Sequence, residues 1–311
     1  MKKFVTRSCS ILAVSISLAF ILLAAKSDKI TLQYNLLKDS IYKINTVADQ
    51  VIEQTMMGQT QTIKNHIEGL MVFKVQNIEG NIILLESWYE KLKMVMDLPT
   101  GKQEMDSEHP DNGNPASAML GKMINKHFTM KMTTKGEITE VNSDKLLEDM
   151  VAGVDEQQAA ISKEMMKQYV GKDALKGSME MMTRCFPENE VSVGDSWTNK
   201  SELTSIMSAD VIMNWKLTES KGGVSSMVGS GTLKSKEINP FTKMNGYPMK
   251  FDILGDQQIQ SKVDEKTGWV IESTTSSEIS GKAIVDASAQ GGGTMEIPMK
   301  IISKTVVTGI K

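Results

Sequence analysis

From Tyr42 to Met56 the chain changes character with a period of two: Tyr42, Ile44, Ala48, Ile52 and Met56 fall on even positions, Lys43, Asn45, Asp49 and Glu53 on odd ones. Successive side chains of an extended strand point to opposite faces, so such a run must lie with one face buried and the other in water. "MGQ" at 57–59 supplies a hairpin turn. The return strand places Ile63, Ile67, Met71, Phe73 and Val75 opposite Lys64, His66, Glu68 and Lys74. A turn near Glu79 leads to a third strand, in which Ile82, Leu84, Trp88, Leu92, Met94 and Met96 are read in a single phase. These three long strands form an antiparallel meander with one apolar face.

Something has to cover that face. The polar stretch 97–117 reads as a long surface loop, followed by a short helix from Ala116 to Asn125. A hairpin then alternates Phe128, Met130 and Met132 with Thr129, Lys131 and Thr133. Leu146, Leu147, Met150, Val151, Val154, Ile161, Met165 and Tyr169 recur at helical spacing. Ser143 or Asp144 is expected to cap this helix, Gly171 to end it, and Asp173 to cap a second helix that stops before Pro187. Beyond Pro187 the first half returns in outline. "LKDSIYK" is echoed by "VGDSWTN", "GLMVFKVQNIEGNIILL" by "ADVIMNWKLTESKGGVSSMV", and "FTMKMTTKGEITEV" by "IQSKVDEKTGWVIEST". Three echoes in one order suggest an internal duplication. The expected fold is α+β: an N-terminal meander half (26–143), a helical segment (144–186) packed on the apolar faces, and a C-terminal meander half (187–311). Two separate sandwiches joined by a helical linker are the alternative.

Ahead of the strands, Lys2, Lys3 and Arg7 precede the apolar run "ILAVSISLAFILLAA" and the polar "KSDK". This is the pattern of a secretory signal peptide, 1–25, with cleavage after Ala25; the run is short for a bilayer crossing, and an uncleaved anchor is the alternative. Cys9 precedes the apolar run instead of following it, unlike a bacterial lipoprotein's lipidated cysteine. Export to the periplasm or the extracellular space is expected. Loss of 1–25 shifts the formal charge from −3 to −6, which argues against a nucleic-acid partner. It also leaves Cys185 as the sole cysteine, so no intramolecular disulfide is expected to help the core.

The segment "FPENEVSVGDSWTN" at 186–199 follows the helices directly. Gly194 and Asp195 read as a turn that starts a strand, with Asp195 bonding local amides, and Trp197 as its anchor into the core; an exposed stacking platform is the competing role. With the export signal and the flanking meanders, this "P-x-x-x-V-x-V-G-D-S-W" element resembles an uncharacterised family of bacterial secreted proteins with no assigned activity. The strand–helix–strand order more loosely resembles the open-barrel lipoprotein carriers of the LolA and LppX type. That resemblance implies a curved sheet wrapped around helices, an apolar cavity and lipid carriage.

No catalytic signature stands out in the sequence. His66 and His127 fall on solvent faces and His109 in the polar loop, so no shared metal site is expected. G-x-S-x-G is absent, and "GSG" at 229–231 reads as a close backbone approach within a strand. Cys185, next to Arg184, reads as a buried hydrophobe before a thiolate nucleophile. "GGG" at 291–293 is a turn without a phosphate loop's helix and lysine. The pairs Glu148/Asp149 and Glu188/Glu190 read as solvated charge. No enzyme activity and no cofactor are expected.

The unusual feature of the composition is its 24 methionines against 5% aromatics. Met56, Met71, Met94, Met96, Met130, Met132, Met207 and Met213, with Phe73 and Trp215, fall on inward strand faces. Methionine adapts to irregular apolar shapes, so these residues are the candidate lining of a groove for a lipid, an acyl chain or an exported client; a loosely specified core is the plain alternative. The other functional class is a structural module that meets an envelope protein partner through its outer strand faces.

Overall fold

The computed structural model describes residues 29–56, 58–111, 114–153, 155–204, 208–236, 241–244, 247–288 and 291–311. The expected export signal at 1–25 and Met207 lie outside them. The elements run β1 (Ile41–Met56), β2 (Gln59–Glu79), β3 (Ile82–Leu98), β4 (Gly101–Asp106), α1 (Pro115–Met123), β5 (Phe128–Thr133), β6 (Ile138–Asn142), α2 (Asp144–Met150), α3 (Glu156–Val170), α4 (Lys172–Thr183), β7 (Ser196–Thr204), β8 (Ser208–Lys221), β9 (Val224–Ser235), β10 (Thr242–Met244), β11 (Tyr247–Asp264), β12 (Val270–Asp286) and β13 (Thr294–Ile310). The fold is mostly antiparallel sheet with few helices, so the expected α+β layering is met only loosely. The two expected meanders are one sheet, ordered β6-β5-β3-β2-β1-β13-β12-β11-β9-β8-β7, with β4 on β3 and β10 on β11. They join where β1 pairs with β13, Ile44 opposite Gly309 and Ile52 opposite Ile301.

The sheet is open, because β6 and β7 at its ends do not pair with each other. Eleven strands at about 4.8 Å spacing would separate those ends by ~50 Å if flat. Yet α4, about 10 Å across, packs against both. The sheet therefore curls, and α4 spans the gap. A Cβ on Gly177 would stand 2.9 Å from Thr204 N, so the bare glycine lets α4 lie against the β7 backbone. Towards β6, Thr183 Oγ1 donates to Gly136 O at 2.7 Å and Ile138 N donates to Glu180 Oε1 at 3.4 Å. Leu146, Leu147, Met150, Met166, Val170, Leu175 and Met179 from the helices share one core with Tyr42, Ile44, Met71, Phe73, Val211 and Trp215 from the sheet. That shared core excludes two separate sandwiches.

Five local expectations are corrected. In β3 the buried residues are Ile83, Leu85 and Ser87, so Ile82, Leu84 and Trp88 face outward. A bulge changes the pairing from Met71 with Tyr89 to Leu70 with Lys91. The extra residue, Glu90, shifts the phase, and Leu92, Met94 and Met96 return to the inner face opposite Gly69, Ile67 and Asn65. Within the expected loop 97–117, β4 pairs with β3 and buries Met105 opposite Met94. The helix expected to run from 146 to 170 is two helices, because Gly153 takes φ 81 and Asp155 caps α3, accepting from Gln158 N. Gly171, not Asp173, caps α4, and Ser143 makes no side-chain cap bond.

The echoes in the sequence correspond to repeated local devices. Asp39 N donates to Val75 O and Val75 N to Ser40 O; likewise Gly194 N donates to Leu217 O and Leu217 N to Asp195 O. Asp39 and Gly194 both have positive φ, 62 and 100, so the structural match is one residue out of step with the Asp39–Asp195 echo. A bulge follows Val75 in one half and Leu217 in the other. Another falls between Lys131 and Met132, and its counterpart between Lys262 and Val263. The segment before β1 is bonded to both following turns, Tyr34 N to Thr134 O and Asn35 N to Thr267 O.

Candidate functional site

The strand register sets the rows of the inner face. Thr46 lies opposite Val307, Val307 opposite Ser273 and Ser273 opposite Ser261. The next row contains Ala48, Thr305, Thr275, Ile259, Gly229, Trp215 and Trp197. Above these rows is a cavity of about 350 Å³, lined from the sheet by Ile44, Thr46, Leu203, Trp215, Ile259, Ser261, Val263, Val270, Ser273, Thr275, Thr305 and Val307. Its roof is Ser178, Met181, Met182 and Thr183 of α4 with Cys185. Tyr34 and Trp269 close one end, in an aromatic cluster where Trp269 meets Tyr42 at 5.0 Å and Phe73 at 5.4 Å between ring centroids. The helix that closes the sheet is therefore also the wall of its cavity.

Among the described residues, no carboxylate, ammonium or guanidinium group lines this cavity. Burial pushes the Cys185 thiol up to about 12 and holds the Tyr34 phenol well above its ordinary value, so both are neutral. A neutral thiol is a poor nucleophile, consistent with Cys185 as a buried apolar group. The Thr and Ser hydroxyls give the floor a row of small polar groups within otherwise apolar walls, the make-up of a ligand pocket.

Three other clefts are larger, and two of them, beside α4 and over the motif, are chemically different. One of about 640 Å³ follows the α4–β7 seam and is lined by charges including Asp173, Lys176, Glu180, Arg184, Lys200 and Glu202; several of these are spent in pairs, Arg184 with Glu180 and Lys236 with Glu202. Burial raises the Glu180 carboxyl above its ordinary value. The other, of about 620 Å³, lies over the motif and includes Arg184, Glu188, Asp195, Trp197, Asn199 and Lys200. There Asp195 Oδ2 accepts from Ser192 N at 2.9 Å, a local amide bond. Trp197 is half-buried on the sheet's last strand and donates from Nε1 to Cys185 O at 2.9 Å.

Of the candidate lining within the described residues, only Trp215 borders the cavity. Met71, Phe73, Met130 and Met132 are buried in the solid core under β2, β3 and β5, and Met213 is buried against Gly231. Met56, Met94 and Met96 are half-buried. The methionines at the cavity, Met181 and Met182, lie on a helix, which strand phase does not reveal. The inward hydroxyls of β12 and β13 were missed because Thr275 lies between Thr274 and Ser276 and Thr305 between Lys304 and Val306, so neither strand shows an apolar–polar alternation that marks the inner face. "GSG" does provide a close approach: a Cβ on Gly229 would stand 2.9 Å from Trp215 Cε3. His66 bonds Asp49 and Glu68, and His127 stacks on Trp88 and bonds Glu86 at 2.8 Å.

Comparison with solved structures gives distant likenesses. Lipovitellin, from a structure of its lipid–protein interactions, matches at TM-score 0.46 and 8% identity over 88% of this chain and 25% of its own, so the chain spans a quarter of it. An outer membrane channel from Pseudomonas putida F1 matches at TM-score 0.26 and 6% identity over 89% and 98% of the two chains. The translocator domain of the autotransporter NalP from Neisseria meningitidis gives TM-score 0.23 and 6% identity over 88% and 90%. No curated protein matches the sequence significantly. The profile of a family of unknown function, DUF6263, matches residues 80–270.

Proposed function

The chain belongs to the family of unknown function DUF6263, and from its own geometry we propose that it is an exported, non-catalytic binding protein for an uncharged, mainly apolar ligand, a lipid or acyl chain. The observation that carries this is the cavity of about 350 Å³ between the curled sheet and α4, with no charged group among the described residues of its lining. Burying a charge there would be costly without a partner, so the lining selects neutral molecules. A curled sheet closed by a helix also agrees with the arrangement that the resemblance to LolA and LppX carriers implies, and the signal pattern at 1–25 supports work in the periplasm or outside the cell. The alternative, an envelope module that binds a protein partner along a sheet edge, has less support. β6 is five residues long, and β7 is flanked by α4, with the side chains of Trp197 and Asn199 bonded to Cys185 O and Phe186 O.

Ile259 sits on the cavity floor. Ile259→Trp should fill the space and abolish binding of the neutral fluorophore N-phenylnaphthylamine, while leaving the melting midpoint near that of the wild type. Native mass spectrometry of protein purified from its own host should show a co-purifying apolar species in the wild type and none in the variant. A wild-type protein that carries no such species and does not bind the fluorophore would rule the proposal out.

A further inference from the structure

The inner face does not end at the cavity floor. Thr305, which lines the cavity, lies opposite Ala48, Ala48 opposite Ile67, and Ile67 opposite Met94. Rows on one face follow each other at about 7 Å along the strands. The next row sets Gln50 between Ser303 and Asn65, with Ser277 beyond Ser303 and Met96 beyond Asn65. The row after that sets Ile52 between Ile301 and Ile63. Ile52, Ile63, Ile67, Met94, Met96 and Ile301 thus form an apolar shelf that meets the cavity across Ala48, a side chain of one methyl. All six are half-buried and none belongs to the packed core. Each keeps apolar surface in contact with water, so covering the shelf is favourable. The row between shelf and cavity is polar: Gln50, Ser303 and Ser277 are half-buried too. Ser277 Oγ and Ser303 Oγ share one bond at 2.8 Å, in which one hydroxyl donates and the other keeps its proton, and the Gln50 amide carries two more donors. Neither row holds a charged side chain among the described residues.

We infer that the ligand is a neutral two-chain lipid of the diacylglycerol kind, with one chain in the cavity under α4, its ester linkages on the Gln50–Ser303–Ser277 row and its second chain on the shelf. This rests on the cavity being the binding site and adds the part of the ligand that lies outside it. A single chain in the cavity would leave the shelf in water. A charged headgroup would meet no counter-charge on either row, whereas a polar band one row deep has the size of an ester linkage and donors for its carbonyl oxygens.

The test is competition against N-phenylnaphthylamine by 1-octanoylglycerol and by 1,2-dioctanoylglycerol, each kept below the concentration at which it aggregates. Wild-type protein should bind the two-chain lipid at least roughly tenfold more tightly, the effect of about two buried methylenes. Ile52→Glu puts a charge on the shelf and leaves the cavity lining intact; it should remove that gain and leave the affinity for 1-octanoylglycerol unchanged. In methyl spectra of wild-type protein labelled at methionine, the Met94 and Met96 resonances, assigned with Met94→Leu and Met96→Leu, should move on adding the two-chain lipid and stay in place with the one-chain lipid; this measurement decides even if Ile52→Glu fails to fold. Equal wild-type affinity for the two lipids, a gain that survives in Ile52→Glu, or unmoved Met94 and Met96 methyls would overturn the inference and leave the cavity as a site for one chain. Met94 and Met96 methyls that shift with protein concentration alone, and then ignore the two-chain lipid, would assign the shelf to a second copy of the chain instead. Failure of both lipids to displace the fluorophore would overturn the cavity proposal as well.

Discussion

Asp264 holds the turn between β11 and β12. Its Oδ1 accepts from Thr267 N at 2.8 Å and Thr267 Oγ1 at 2.6 Å, and its Oδ2 pairs with Lys311 Nζ at 2.9 Å. Burial works to raise this carboxyl, but the bonds from Thr267 and the charge of Lys311 outweigh it and bring it from 3.8 down to about 2. A carboxyl depressed in the folded state adds stability that is fully present above its unfolded value and is lost as pH falls through the folded one. Asp264→Asn should therefore cost about 1–2 kcal/mol at neutral pH. The difference from wild type in denaturant melts should shrink below pH 3.8 and close near pH 2; a constant gap across that range would refute the assignment. At this scale the sequence is informative about residue type. Asp195 could be read as a turn acid because short side chains bond nearby amides wherever the chain bends. Trp197 could be read as large and apolar, but not as half-buried, since that depends on α4 and residues 184–187 flanking its strand.

Glu90 shows where element-level reading breaks down. Strict alternation identifies the inner face of β1, where Tyr42, Ile44 and Ala48 are all buried, because β1 has no register shift on either side. The same count misplaces the first half of β3, because one unpaired residue exchanges the two faces. Deleting Glu90 should force either Ile83 and Leu85 or Leu92, Met94 and Met96 outward. Loss of the cooperative melting transition and a shift to aggregate on size exclusion are expected; a monomer that melts within about 1 kcal/mol of wild type would show the bulge to be dispensable. Likewise, the helical spacing across 146–170 hid a break that Gly153 and Asp155 announce. The period of the apolar residues survives the interruption, so periodicity alone cannot date the end of a helix. The cavity was illegible for a related reason: its roof and floor lie on different elements, and neither has a local signal of the other.

At the scale of the molecule, the order strands, helices, strands was visible, but the union of both halves in one sheet was not, because the pairing of Lys43 with Ile310 joins positions near the two ends of the chain. The segment before β1 and the C-terminal Lys311 meet near the Asp264–Trp269 turn, where Asn35 N bonds Thr267 O and Lys311 pairs with Asp264. A permutant linking Lys311 to Lys29 and opened at Gly153 would turn β1 and β13 into a local hairpin. Its refolding, followed by stopped-flow fluorescence, should be at least about tenfold faster at a similar melting midpoint; an unchanged rate would mean that closing the sheet's centre does not limit folding. In the natural order, the central strand pair has to wait for the last strand to be made. In the export proposed above, the β1–β13 seam at the middle of the sheet stays unpaired until Thr294–Ile310 has crossed the membrane.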